Sequence, residues 1–294
     1  MFEQPKVAVV LAAGYGVRFL PFSKTISKTM LPIIDEPTIV KIVDEAVQSG
    51  IERVIVVVGS NRQNIKKHFS QKTRLNWVPL KDEQKQILKK TCSYNIKFTI
   101  QKTLDGTANA ILSAKKFIKN EPFVVLCADE LMVSDVPVVK QLIEKYIETG
   151  ACIIGAKRVP LEDACNVGVI KYRDKEKGLF ILDSILEKPP IETISDTLSN
   201  VGRYVLTYDV FKFLENVAPN RDGDKALTDA LVDMSASEKI YAHIFSGERY
   251  DIGNKYGYIT AFFDACLEDF RYQDRFTAYA KKKLNKRKRS DDSI

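Results

Sequence analysis

Histidine is almost missing from this chain: His68 and His243 are the only two among 294 residues. A mechanism built on imidazole bases or histidine metal ligands has little to work with, and both residues sit in stretches that suit a surface or structural role. Cysteine is equally unpromising. Cys92, Cys127, Cys152, Cys165 and Cys266 are odd in number, far apart and without a C-x-x-C pair, which excludes a disulfide framework and a thiolate zinc site; they read as small apolar side chains. No apolar run reaches the roughly 20 residues of a membrane-spanning helix. Residues 1–6 lack the charged and apolar regions of a secretion signal, so no membrane span and a cytoplasmic location are expected. The net charge of +7 is no general basicity, because Lys281 to Arg289 carries seven basic residues, the whole excess. Without interleaved aromatics this run reads as a solvated tail, and no nucleic-acid partner is expected.

The hydrophobic content of 45% over 294 residues is enough for a full α/β core. The informative stretch is Val7 to Pro32, VAVVLAAGYGVRFLPFSKTISKTMLP. Val7 to Leu11 are apolar without alternation, as in a parallel strand covered on both faces. Ala12, Ala13, Gly14 and Gly16 follow; their small size lets the backbone turn sharply and bring its N–H groups close to a phosphate or a base. Arg18 then offers a planar fork for phosphate oxygens, and Lys28 a mobile point charge. The dinucleotide fingerprint fails, because Phe19 holds the position of its third glycine and a proline-bounded loop replaces its helix. The P-loop pattern is also missing.

Pro37 to Gln48 repeats apolar residues at helical spacing before Gly50, and Val54 to Val58 forms a second covered strand, together a βαβ unit with parallel strands. Ser60 to Phe69 reads as a short helix, and Ser70 to Ser93 as a helical excursion. Ile96, Phe98 and Ile100 alternate and deliver Gln101 at a strand end, ahead of the turn Leu104-Asp105-Gly106. A glutamine amide offers one donor and one acceptor, the complement of a uracil or thymine edge. Phe123 to Leu126 is the next covered strand and runs into Ala128-Asp129-Glu130. Adjacent carboxylates emerging from a buried strand are costly unless they meet a cation, so Asp129 is a candidate Mg²⁺ ligand. Val138 to Ile147 reads as a helix, and Val169 to Tyr172, Phe180 to Leu186 and Val201 to Leu206 form a more antiparallel part.

The segments L-A-A-G-Y-G-V-R-F-L-P and S-K-T-M-L-P-I-I-D-E-P, with Gln101-Lys102, Asp129-Glu130, Glu187-Lys188-Pro189, Leu227-Thr228-Asp229-Ala230 and Gly247 to Gly253, resemble in order the bacterial sugar-1-phosphate nucleotidylyltransferases, and among them the UTP–glucose-1-phosphate uridylyltransferases. The resemblance implies UTP and glucose 1-phosphate as substrates, Mg²⁺ as cofactor and a homo-oligomer. It implies catalytic roles for Arg18, Lys28 and Lys188. Nucleotide contacts fall to Ala12, Ala13, Gly14, Gly16, Gln101 and Gly106, and sugar contacts to Glu130, Gly168, Glu187 and Gly202. Asp129 and Asp251 become the metal ligands. The expected fold is α/β: a Rossmann-like, mixed, mainly parallel sheet flanked by helices, with a smaller antiparallel sugar-binding part. Residues 1–270 would form the transferase domain, its nucleotide half near 1–160 and its sugar half near 161–270, and residues 271–294 a C-terminal helix and basic tail.

Some positions depart from the family pattern. Val17 replaces a threonine, Thr29 an acid, Ala226 a glutamine, and Gly106-Thr107-Ala108-Asn109 stands where G-L-G-H is common. The metal acids and principal cations are kept. Two other readings stay open: the same chemistry with dTTP or another sugar phosphate, and a non-catalytic regulatory paralogue.

Overall fold

The computed structural model describes residues 2–59, 63–70, 75, 77–220 and 223–291, with side chains as far as 286. In chain order the elements are β1 (Val7–Ala12), β2 (Pro32–Ile33), β3 (Glu36–Pro37), α1 (Thr38–Gln48), β4 (Arg53–Val58), α2 (Gln63–His68), α3 (Asp82–Ser93), β5 (Ile96–Ile100), α4 (Thr107–Leu112), β6 (Phe123–Cys127), β7 (Glu130–Val133), α5 (Val138–Thr149) and β8 (Cys152–Arg158). There follow α6 (Leu161–Ala164), β9 (Gly168–Glu176), β10 (Leu179–Glu187), β11 (Leu198–Leu206), α7 (Val210–Leu214), α8 (Leu227–Ser235), β12 (Ile240–Ile244), β13 (Glu248–Asp251), α9 (Lys255–Glu268) and α10 (Gln273–Asp291). Residues 60–62 of the helix expected from Ser60 lie outside the described residues; Gln63–His68 is helical. Among the described residues no helix is long and apolar enough to cross a membrane.

Nine strands form one sheet in the order β5-β4-β1-β6-β11-β8-β12-β10-β9. β1 is parallel to both β4 and β6. The chain therefore leaves β1 toward one side, through β4 and β5, and later returns to its other side with β6. That reversal opens a crevice at the carboxyl ends of the strands, where open α/β sheets bind ligands. The run Val7 to Val10 is fully buried because it is covered twice. Val7 and Val9 join the core beneath α4, α7 and α8, whereas Ala8 and Val10 join the core beneath α1 and α5.

The strands expected to form an antiparallel part do not make a separate layer. β11 lies between β6 and β8, antiparallel to both, with Arg203 opposite Leu126. β9 and β10 extend the same sheet to its far edge. Between β5 and β6, α4 is followed by a 3₁₀ turn over Lys115–Phe117.

An ion pair is sealed inside this apolar frame. Arg203 has no exposed surface, and Glu45 on α1 is 8% exposed. Arg203 Nε donates to Glu45 Oε1 and Oε2 at 3.1 Å each, and Nη2 donates to Oε2 at 2.8 Å. The same guanidinium donates to the carbonyls of Cys127 (3.2 Å), Gly202 (3.1 Å) and Glu130 (2.9 Å). Glu45 Oε1 also accepts the Val139 N–H at the start of α5, at 3.2 Å. This buried pair thus ties α1, α5, β11 and the β6–β7 corner at one point.

Removing one partner leaves an uncompensated buried charge. Arg203→Ala is expected to lower unfolding stability by about 3–5 kcal/mol, seen as a lower urea midpoint. The paired change Glu45→Leu with Arg203→Met should cost less, because no charge is then stranded.

Candidate active site

Backbone chemistry builds the floor of the crevice. Gly16, at φ 68°, turns the chain out of β1 into a loop of three 3₁₀ turns, Val17–Phe19, Phe22–Lys24 and Lys28–Met30. The loop folds back so far that a Cβ on Gly16 would stand 3.1 Å from Lys28 Cβ. A Cβ on Gly14 would meet no atom within 4 Å, so its smallness leaves open space over the turn. Ala12, Ala13, Gly14, Ser27, Gly59 and Leu104 help line a cleft of about 290 Å³. Gly59, which the sequence did not mark, closes the end of β4: a Cβ there would lie 2.7 Å from the Ala13 carbonyl oxygen.

Gln101, only 5% exposed, sits just past β5 and donates from Nε2 to the Gly106 carbonyl at 2.9 Å. Gly106 has φ 108°, and a Cβ on it would overlap Lys225 O at 2.2 Å. The turn is clamped there. Lys225 N–H donates to Asp105 O at 2.7 Å, Ala108 N–H to Lys225 O at 2.9 Å, and Leu227 N–H to Thr107 Oγ1 at 2.8 Å. The Leu227-Thr228-Asp229-Ala230 segment therefore follows directly on the strip that holds the base-side turn. Two departures from the family pattern find partners inside the chain. Thr29 is buried, its Oγ1 3.0 Å from Ser27 Oγ, and Asn109 Nδ2 donates to Asp105 Oδ2 at 2.5 Å.

The acids enter from two elements distant in sequence. Asp129 precedes β7, Asp251 ends β13, and these strands pair antiparallel with Glu130 opposite Asp251. A Cβ built on Gly253 would lie 2.8 Å from Asp251 Oδ1 and 3.4 Å from Asp129 Oδ2. Both carboxylates thus converge on one point, which a side chain at 253 would fill. Asp251 is oriented by the Gly253 N–H on Oδ1 (2.8 Å) and Asn254 Nδ2 on Oδ2 (2.9 Å). Asn254 also caps α9, accepting the Gly257 N–H at 2.8 Å.

Cations balance these charges. Lys28 Nζ donates to Asp129 Oδ2 at 3.1 Å. Burial works to raise the Asp129 carboxyl, but Lys28 prevails and holds it below the usual carboxylate range. Arg249 clasps Glu130, Nε to Oε2 at 2.7 Å and Nη2 to Oε1 at 2.5 Å. Burial still raises the Glu130 carboxyl to about 7, against the pull of Arg249, and Asp129 and Asp251 add to the rise. Beside them, burial pushes the Cys127 thiol up and away from thiolate chemistry.

On β11, Gly202 (φ 29°) makes room for these groups: a Cβ there would stand 2.7 Å from Cys127 Cβ and 3.0 Å from Glu130 Cγ. Gly168 pairs with Glu187 across β9 and β10, and a Cβ on it would approach Glu187 Oε2 to 3.2 Å. Lys188 adopts φ 45° before Pro189, and its Nζ lies 4.0 Å from Glu187. Arg18 is exposed on the first 3₁₀ turn. The structure therefore brings Lys28, Asp129, Glu130, Gly202 and Asp251 into one cluster, while Arg18 and the exposed Lys188 stand apart from its ion pairs.

Arg203, Glu45 and Arg249 escaped the sequence reading, although each carried a signal. An arginine within the apolar strand V-G-R-Y-V-L and a glutamate within the apolar face of α1 each call for a buried partner of opposite charge. Arg249 lies two residues before Asp251, hence on the same face of a strand. Replacing Gly106 by alanine would force an overlap with Lys225 at an unfavourable φ. Gly106→Ala is expected to lower the melting temperature by about 4 °C or more, checked by thermal unfolding.

Comparison with known proteins agrees with this geometry. The family model described as nucleotidyl transferase matches residues 7–267. A relative from Streptococcus pyogenes serotype M3 (strain ATCC BAA-595 / MGAS315), named UTP–glucose-1-phosphate uridylyltransferase 2, is 39% identical over 282 residues, 92% of this chain and 94% of its own. A solved UDP-glucose pyrophosphorylase complexed with UDP-glucose superposes with a TM-score of 0.81 at 33% identity, covering 95% of this chain and 99% of that one. A UTP-bound enzyme of the same kind from Acinetobacter baumannii gives 0.84 at 28% identity, covering 94% and 98%. With the family model matched over residues 7–267 and a backbone that superposes along nearly the whole chain, the chain belongs to the nucleotidyl transferase family.

Proposed function

We propose that this protein transfers the uridylyl group of UTP to α-D-glucose 1-phosphate, giving UDP-glucose and pyrophosphate. The observation that carries the reading is the convergence of Asp129 and Asp251 beside the glycine turn and Lys28, in a chain whose relatives are named for this reaction. A phosphate oxygen of the sugar phosphate forms a bond to the α-phosphorus of UTP while the bond to the pyrophosphate oxygen breaks. The nucleophile is already ionised at neutral pH, so no serine, cysteine or histidine is required. Catalysis is then alignment of two anions and neutralisation of charge.

The chain's residues divide this work. Ala12, Ala13, Gly14 and Gly16 present backbone to the nucleotide, and Gln101 with Gly106 reads the base. Arg18, Lys28 and Lys188 neutralise phosphate oxygens; Lys28, on its flexible stem, can leave Asp129 and follow the triphosphate. Glu187, Gly168 and Gly202 shape the sugar side, next to Glu130. Converging carboxylates fit a hard divalent cation: Asp129 and Asp251 would hold Mg²⁺, which when bound offsets phosphate charge. In this reading residues 1–160 serve the nucleotide, 161–270 the sugar, and 271–294 form the helix and tail. A homo-oligomer is supported by the exposed Tyr256 and Ile259 of α9 and by Phe270, and the cytoplasm supplies both substrates.

Pyrophosphate release should be fastest with UTP when UTP, dTTP, CTP, ATP and GTP are each offered with glucose 1-phosphate and Mg²⁺. A preference for dTTP would shift the base assignment, and silence with all five nucleotides would overturn the catalytic reading in favour of a regulator. Chelation of divalent metal should stop turnover and added Mg²⁺ restore it. Asp129→Asn is expected to lower kcat by about 10²–10³-fold with an unchanged circular dichroism spectrum; near-normal turnover would refute its role.

A further inference from the structure

Asp129 and Glu130 are consecutive, and Glu130 stands opposite Asp251 across the β7–β13 ribbon, yet among the described residues the three do not group as a metal site. Glu130 is held by Arg249 instead. The Arg249 side chain is 11% exposed and that of Glu130 14%, and the arginine fork occupies both Glu130 oxygens. The contrast with Lys28 is informative. Lys28 makes one contact to Asp129, on a flexible stem, whereas Arg249 holds its partner by two parallel bonds from a rigid plane. The first cation can be displaced by an arriving ion or phosphate; the second stays. Glu130 lies within the electrostatic reach of both Asp129, which precedes it, and Asp251, opposite it in register, and Arg249, two residues before Asp251 on the same strand, feels the same acids.

We infer that Arg249 is a positioning residue that withholds Glu130 from the divalent ion, leaving Asp129 and Asp251 as its protein ligands and the remaining positions to phosphate oxygens and water. This rests on the assignment of Asp129 and Asp251 to the metal. The physical reason is that Mg²⁺ in phosphoryl-transfer sites takes one or two carboxylates and completes its shell with substrate phosphates. A third carboxylate would bind the free ion more tightly, occupy a place the triphosphate needs, and repel it.

The test is Mn²⁺ binding to the nucleotide-free protein, followed by the paramagnetic signal of free Mn²⁺, alongside kcat and KM for UTP. Arg249→Gln is expected to bind Mn²⁺ about tenfold more tightly than the parent protein while kcat falls by about tenfold. Adding Glu130→Gln to it should return Mn²⁺ affinity to within about twofold of the parent. An ordinary supporting role would instead lower metal affinity by about 10–100-fold, and that result, or unchanged affinity, overturns the inference. Glu130→Gln alone covers the case in which Arg249→Gln fails to fold. It should leave Mn²⁺ affinity within about twofold of the parent, and a loss of about tenfold would show Glu130 to be a ligand and sink the proposal. Asp129→Asn separates the two layers: if it binds Mn²⁺ as well as the parent, the metal assignment itself is wrong, whereas Asp129-dependent binding that is indifferent to Arg249 defeats only the role given to Arg249.

Discussion

A single buried guanidinium holds the working edge of this protein together. Arg203 contributes nothing to the apolar core by its chemistry, and a well-packed hydrophobic replacement of the pair with Glu45 need not cost stability. What the pair provides is position. Its donors reach the carbonyls of Cys127, Gly202 and Glu130. Cys127 ends β6, Glu130 begins β7 and Gly202 lies in mid-β11, where the pairing with β8 shifts register between Asn200 and Tyr204; at such points the ladder is interrupted and a backbone acceptor needs another donor. Because Glu45 also accepts the Val139 N–H in the first turn of α5, the helices that cover one face of the sheet share the same anchor.

From that anchor the site's electrostatics follow in layers. The corner delivers Asp129 toward the crevice and sends Glu130 into the β7–β13 ribbon, where Asp251 faces it. Acids this close would repel, and two cations of different kinds offset them. Lys28 belongs to the mobile-stemmed loop and answers Asp129; Arg249 belongs to the ribbon and answers Glu130. Asp251 is held by neutral donors, Gly253 and Asn254. Thus one acid has an exchangeable partner, one a fixed partner and one only oriented dipoles, a graded arrangement suited to admitting a divalent ion together with an anionic ligand.

Glycines explain why the loops could be placed by chemistry visible in the chain. Gly16 and Gly106 have positive φ, and Gly106 abuts the Lys225 backbone, so the turns that carry them depend on a missing side chain. Gly253 acts differently, since a side chain there would occupy the space shared by Asp129 and Asp251. The departures at Thr29 and Asn109 are absorbed by local partners, which is why the surrounding backbone keeps its form.

The amino-acid sequence by itself determined the covered strands, the glycine turn, the loop cations and the candidacy of Asp129, because each is a local matter of apolar runs, backbone freedom and charges placed at strand ends; Asp251 was legible only through the family resemblance. It also carried the ordered motifs by which the family was legible. Tertiary structure alone decided that β11 passes through the middle of the sheet, that Gly59 closes on Ala13, that Lys225 clamps the turn at Gly106, and that Arg203 and Arg249 choose Glu45 and Glu130. Those pairings join residues separated by as many as 158 positions, and no local pattern encodes the partner of a buried charge. Only the folded sheet, by excluding water around it, makes one arrangement far better than the rest.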